Sequence, residues 1–192
     1  NAFEDKRWIG GGWKEKLIPF YKKAKIMLGA TEAKHLGETD YLLKKVAKKI
    51  KKEDSFKHVD VGVFFGVPGK NVKDPYFNGK GPNRSGCTLC GGCMVGCRHN
   101  AKNTLDKNYL YLAEQLGVEI SAEKEVLSVK KDKNSYVVEY KKSTGLLRKK
   151  GIVKAKKVIF SGGVMGTVKL LFKCKDQKHL PYLSNRLGDY VR

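Results

Sequence analysis

The sequence predicts a mixed α/β (α+β) fold, helical towards its amino end and built around a small sheet towards its carboxyl end. Three observations predict it. Residues 1–57 carry apolar positions at helical spacing. Glu125–Lys131, Tyr136–Lys141 and Gly145–Ala155 are three β-rich stretches separated by the turn signals KDKNS and KSTG, the pattern of an antiparallel meander. A last apolar run, Lys157-Val158-Ile159-Phe160, then passes through Ser161-Gly162-Gly163 into a helical stretch, Thr167–Cys174.

Composition bounds the reading. At 192 residues the chain can hold one good core or two small lobes. It is 41% hydrophobic and 31% charged, and no apolar run approaches the ~20 residues that span a bilayer. No secretory leader is recognisable within the chain, so a cytoplasmic setting is expected, and the chain reads as a piece of a longer or processed protein. A formal charge of +21 invites a nucleic-acid reading. Against it, 34 of the basic residues are lysines and only 6 are arginines, whereas base and phosphate readout favours the arginine fork. Nucleic acid is therefore disfavoured as a partner.

In chain order, Trp13–Leu28 reads as an amphipathic helix stopped by Gly29, with Pro19 near its start or marking a break. A second helix is expected over Thr39–Lys52. Its Leu43, Val46 and Ile50 would face inward and its lysines would be solvated. HVDVGVFFGVPG is a short β-type run from residue 58, and the Gly-, Pro- and Asn-rich stretch to residue 84 should be loop. Leu105, Tyr109, Leu112, Ala113 and Leu116 form one helical stripe, capped by Asn103 or Thr104 and ended by Gly117. Val118-Glu119-Ile120 would be a strand, lying beside Val158–Phe160 in one sheet. Strand, meander, strand, glycine turn and helix suit an α/β nucleotide-binding domain without its first unit. No G-x-G-x-x-G follows a strand: Gly10-Gly11-Gly12 lies between helical segments, and SGGVMG has the wrong spacing.

Between these regions stands SGCTLCGGCMVGCRHNAK, with Cys87, Cys90, Cys93 and Cys97 spaced C-x2-C-x2-C-x3-C. Ferredoxins hold cubane clusters on this run, and soft thiolates select iron–sulfur clusters or zinc. Arg98 replaces the proline that follows the ferredoxin run, so Cys97 would need a bent use or Cys174 would serve as a remote ligand. Zinc sites usually split their ligands into two separated pairs, whereas these four are contiguous. An iron–sulfur cluster and four unliganded thiols in a reducing compartment stand level, with zinc behind. The paucity of apolar side chains in the loop predicts that at least three sulfurs share a centre.

GCMVGCRHNAKNTLDKNYLYLAEQLGVEI, then a meander, then AKKVIFSGGVMGTVKLL, resembles the middle of a glucose–methanol–choline (GMC) oxidoreductase, nearest to its cholesterol-oxidase-like branch. FEDKRWIGGGWKEKLIPFYKKAKIMLGA is similar to that branch's segment leading into the substrate lobe, and LPYLSNRLGDYVR to its passage after the glycine turn. The resemblance implies a central fragment of an FAD-dependent enzyme that oxidises a sterol- or sugar-like alcohol and passes electrons to an acceptor. It divides the chain into a helical and loop segment of the substrate lobe (1–84), the cysteine-rich loop (85–102) and a partial FAD-binding domain (103–192). Ser161, Gly162 and Gly163 would approach the ADP half of FAD, and the backbone of Val126 its adenine. Asn103 and Thr104 are either flavin-side contacts or helix caps, with the cap favoured. His35, His58, His99 and His179 do not match the family's catalytic histidine, so the fragment alone should be inactive. Some flavin-dependent glucose dehydrogenases resembling this family carry an iron–sulfur cluster on a cysteine-rich insert at a similar place. The alternative is a zinc-stabilised basic module contacting RNA or an acidic partner.

Overall fold

A computed structural model describes residues 3, 5, 7, 9–189 and 191. Glu4, Lys6, Trp8, Tyr190 and Arg192, which belong to the outer stretches of the family likeness, lie outside the described residues. The chain divides into two compact units, Asn1–Glu119 and Ile120–Arg192.

In the first unit, α1 (Trp13–Met27) runs through Pro19 rather than starting or breaking there. Gly29 ends it as expected. Its φ of 56° belongs to the left-handed region, and the amides of Leu28, Gly29 and Ala30 close the last turn on Ala24, Ile26 and Lys25. A Cβ at Gly29 would also collide with the side chains of Asn103 and Tyr76, so glycine is required twice over.

Helix α2 (Glu38–Lys49) opens with the Asp40 carboxylate accepting the Gly37 N–H at 2.8 Å. Leu43, Val46 and Ile50 do not point into a core; they are 59%, 54% and 61% exposed. The helical pattern is real, but the main element against which α2 packs is the 3-10 turn Glu53–Ser55, too small to cover an apolar face.

Short antiparallel ladders fasten the rest. Strand β1 (Thr31–Glu32) pairs with β2 (Asp60–Val61), and β3 (Asn71–Val72) with β4 (Arg84–Ser85). The last pair lies where only loop was expected. Between its strands, the Asp74 carboxylate accepts the N–H groups of Tyr76, Phe77, Gly79 and Gly81 at 2.9–3.0 Å, which gathers a seven-residue loop around one side chain. Burial raises the Asp74 pKa, but these donors outweigh it and the carboxyl stays below its ordinary value.

The expected helix over 105–116 is divided. Leu105–Lys107 is a 3-10 turn, and α3 (Tyr109–Gln115) begins afresh at buried Asn108. Asn108, not Asn103 or Thr104, supplies the cap: its side chain accepts the Tyr109 N–H, while Thr104 makes no side-chain cap bond. Asn103 is occupied elsewhere. Gly117 ends the helix as expected, at φ 87°.

The second unit is the meander and one helix. Strands β5 (Lys124–Asp132), β6 (Ser135–Lys142) and β7 (Lys150–Ala155) form one antiparallel sheet in that order. The third strand starts later than the sequence suggested, because Gly145–Lys149 is taken up by the connection. A bulge between Val126 and Ser128 interrupts the β5–β6 register.

Helix α4 (Val164–Asp176) packs on β5. Cys174, wholly buried, accepts the Val129 N–H at 3.4 Å. The Lys131 N–H on the outer edge of β5 donates to the His179 carbonyl at 3.0 Å.

Neither Val118–Ile120 nor Val158–Phe160 forms a strand, which corrects the expectation that they pair in one sheet. A run apolar on both faces becomes a strand when neighbours on both sides satisfy its backbone. Among the described residues neither run takes part in a β-bridge, and Val118 and Ile159 stand 53% and 87% exposed. The mixed α/β class holds, and every strand ladder among the described residues is antiparallel.

Candidate functional site

In the second unit, β5 and the turn into α4 enclose an open cavity of about 780 Å³. Val126, Leu127 and Val129 supply one apolar wall, and Val158, Ile159 and Phe160 another. Ser161 and Gly162 form the rim where the chain enters α4, joined by Gly166 and Thr167 from its first turn. Gly163 is the N-cap at φ 77°, and its carbonyl accepts the Thr167 N–H at 3.0 Å.

Little side chain crowds this rim. A Cβ at Gly162 would meet only the Thr167 hydroxyl, and at Gly166 nothing at all, so both glycines open onto space. The first-turn amides of a helix lack intrahelical acceptors and favour an anion. Lys173 Nζ, lower on α4, donates to the Leu127 carbonyl at 3.0 Å and ties the helix to the bulged strand. An apolar slot ending in a glycine-lined helix start suits a flat heteroaromatic group attached to phosphate.

In the first unit, the cysteine-rich loop is closed at its base by backbone. The Cys87 N–H donates to the Phe64 carbonyl at 2.9 Å, and the Phe64 N–H to the Ala101 carbonyl at 2.8 Å. Gly86 fits only because it lacks a side chain, since a Cβ there would run into the backbone of Gly66 and Val67.

Beneath the loop lies Arg84, 1% exposed. It donates to the carbonyls of Asn100 at 3.1 Å and Lys102 at 2.7 Å, and to the Asn103 side-chain oxygen. Asn103 in turn donates to the Gly29 carbonyl at 3.0 Å, linking residues 74 positions apart. Asn103 thus acts as a structural tie, and nothing in the residue-level pattern of the sequence flagged Arg84.

The thiols do not converge as expected. Among the described residues no group of three or more His, Cys, Asp or Glu side chains is placed to hold a metal ion. Two of the four sulfurs turn onto nearby backbone instead: Cys87 Sγ accepts the Leu89 N–H and Cys97 Sγ the Ala101 N–H, both at 3.4 Å. Cys174, the remote ligand considered, is buried in the second unit against Val129. Glycine-rich spacing made convergence sterically possible, but local N–H donors claimed the Cys87 and Cys97 sulfurs.

All four loop thiols nevertheless line one cavity of about 290 Å³, together with His35 and His99. Burial pushes the Cys97 thiol up, and the backbone donors of Lys102, Ala101 and His99, with the Lys107 charge, outweigh it and bring its pKa below the ordinary thiol value.

A family profile described as GMC oxidoreductase matches residues 78–188, more than half of the chain. The chain belongs to that family.

A cholesterol oxidase of Acinetobacter baumannii is 41% identical over 191 residues, covering 94% of this chain and 34% of the relative. A cholesterol oxidase of Mycobacterium tuberculosis is 39% identical over 198 residues, covering 99% and 34%. The chain therefore spans about a third of the length of these curated relatives.

Against this GMC background, three of the six residues singled out for cofactor contact, Val126, Ser161 and Gly162, line the same cavity, and Gly163 follows directly as the helix cap. Asn103 and Thr104 belong to the first unit. Thr167 and Lys173 were missed, although their i+5 and i+11 positions after Gly162 on a predicted helix could have suggested them.

His179 and His58 are engaged separately. Ser128 Oγ and His179 Nδ1 lie 2.7 Å apart, and His58 Nδ1 is 3.2 Å from Glu32 Oε1. No described helix is long and apolar enough to cross a membrane. The zinc-module alternative is left without a gathered ligand set among the described residues.

Proposed function

We propose that this chain is the central part of an FAD-dependent enzyme that oxidises a secondary alcohol, with a sterol as the favoured donor, and that its own share of the work is to seat the adenosine end of the cofactor. The observation that carries this reading is the single cavity shared by Val126, Ser161 and Gly162. GMC membership implies FAD in the parent protein, and the sterol class follows the printed names of the relatives.

Bound FAD supplies a two-electron acceptor for the hydride of an alcohol carbon. This chain's residues bind and orient. The walls from β5 and from Val158–Phe160 would hold the adenine, and the backbone of Val126 would contact it. Gly162 and Gly163 would let backbone approach the ribose and pyrophosphate, and the α4 amides would offset the pyrophosphate charge. The histidine that takes the alcohol proton is supplied by the rest of the parent, as is the surface that meets the electron acceptor. By itself the 192-residue chain does not turn over.

Gly162→Val in the full-length parent tests the reading. The added isopropyl group fills the slot and is expected to lower flavin content per protein by about tenfold or more, a loss of at least 1.4 kcal/mol of binding. Full flavin occupancy in that variant, or turnover of a sterol with a dye acceptor by the isolated chain, would falsify the proposal.

A further inference from the structure

The C-x2-C-x2-C-x3-C run lies outside the cofactor slot and forms no gathered metal-ligand set among the described residues, yet its four free thiols line one cavity. Two of them are tied to the same short segment. The Ala101 N–H donates to Cys97 Sγ at 3.4 Å, and Lys102 Nζ donates to the Cys93 carbonyl at 2.8 Å. Cys93 sits in the 3-10 turn Gly92–Val95, and Gly96, at φ 101°, is the single hinge between that turn and Cys97. Both thiols are half-buried, so they are reachable by a small oxidant. Met94 and Val95, 94% and 90% exposed, do not anchor the turn against movement.

We propose that this loop is a reversible thiol switch in which a hydroperoxide oxidises Cys97 and Cys93 closes a disulfide with it. The Cys97 sulfur attacks the terminal peroxide oxygen. The O–O bond breaks, an alcohol or water leaves, and Cys97 becomes a sulfenic acid. The Cys93 sulfur then attacks Cys97, the S–O bond breaks, water leaves and the S–S bond forms. Two electrons pass from the thiol pair to the peroxide, and a dithiol returns them. The Lys107 charge and the N–H donors around Cys97 favour it as the attacking sulfur. Closing the bridge pulls on Ala101 and Lys102, the segment that Arg84 clamps.

The test exposes the reduced 192-residue chain to substoichiometric hydrogen peroxide, alkylates the remaining thiols and maps the peptides by mass. The expected product is one Cys93–Cys97 bridge, with Cys87, Cys90 and Cys174 still alkylated after unfolding. Cys97→Ser should slow bridge formation in the loop by roughly tenfold or more. Cys93→Ser should stop at a Cys97 sulfenic acid that dimedone traps. The proposal fails if no bridge forms in the loop, if a different pair of cysteines bridges, if Cys97→Ser bridges at the wild-type rate, or if the chain purifies with a thiolate-bound metal. Should Cys97→Ser lose its circular-dichroism spectrum, the order of native alkylation in the wild-type chain decides. Cys97 reacting first supports the switch, and Cys97 reacting no faster than buried Cys174 overturns it.

Discussion

The meander with its helix and the cysteine-rich loop solve the same problem, holding chosen residues around a cavity, by opposite means. In Ile120–Arg192, an eight-pair register between β5 and β6 and the packing of α4 on β5 position Val126 and Ser161–Gly162 from far apart in sequence. In residues 87–103 there is almost no regular structure, and a few hydrogen bonds to Phe64 and Arg84 close the loop. The difference teaches that periodic elements deliver side chains to expected faces, because each residue's direction is set by many bonds at once. Motif spacing in a glycine-rich loop limits which sulfurs can meet without deciding which do.

The sharpest way to break the comparison is to remove the meander's anchor. Val129→Asp places a carboxylate where the side chain is 1% exposed, and should cost about 4 kcal/mol or more. Hydrogen exchange is expected to show residues 124–155 unprotected while the amides of Phe64 and Cys87 keep their protection. Equal loss in both regions would mean that the loop borrows its order from the sheet.

Next in size is Arg84→Met, which strips the loop of its clamp. It leaves the carbonyls of Asn100 and Lys102 and the Asn103 side chain without this donor, for an expected loss of about 2–3 kcal/mol. The measurement is the urea midpoint, followed by local proteolysis at residues 88–100. An unchanged midpoint would show that the Phe64 bonds alone suffice.

Asp74→Ala should cost about 1–2 kcal/mol at neutral pH by removing four N–H acceptor contacts. The sign with pH follows from the lowered pKa. The stabilisation is present above the carboxyl's unfolded pKa and is lost as pH falls through the lower, folded one. Wild type and variant should therefore converge in stability once the pH has fallen below that lowered, folded-state pKa. A gap that persists there would assign the loss to packing.

The smallest effect is expected for Cys87→Ser. Its sulfur makes one weak contact to the Leu89 N–H, so the thermal midpoint should move by less than about 0.5 kcal/mol equivalent. A large loss of stability would reveal a structural demand on that thiol.

Much of this was legible in the residues. Gly29 and Gly117 ended their helices as read, because a left-handed residue after an amphipathic run has few other uses. The meander was legible from its turn residues, apart from the late start of β7 at Lys150. The caps were less so. Asn103 looked like a cap because it precedes an apolar stripe, yet buried Arg84 claims it, and no local pattern announces a partner 19 residues away.

By itself the sequence determined the helices, the meander, the glycine entry to α4 and, through its likeness, the family. Tertiary structure alone decided which apolar faces are covered, that Val118–Ile120 and Val158–Phe160 form no strand, and that the Cys87 and Cys97 sulfurs accept from nearby backbone. The physical reason is range. Periodicity, capping and turn chemistry act over a few residues and are written locally. Strand pairing, burial and ligand convergence depend on which distant groups arrive first to satisfy a donor or cover a side chain.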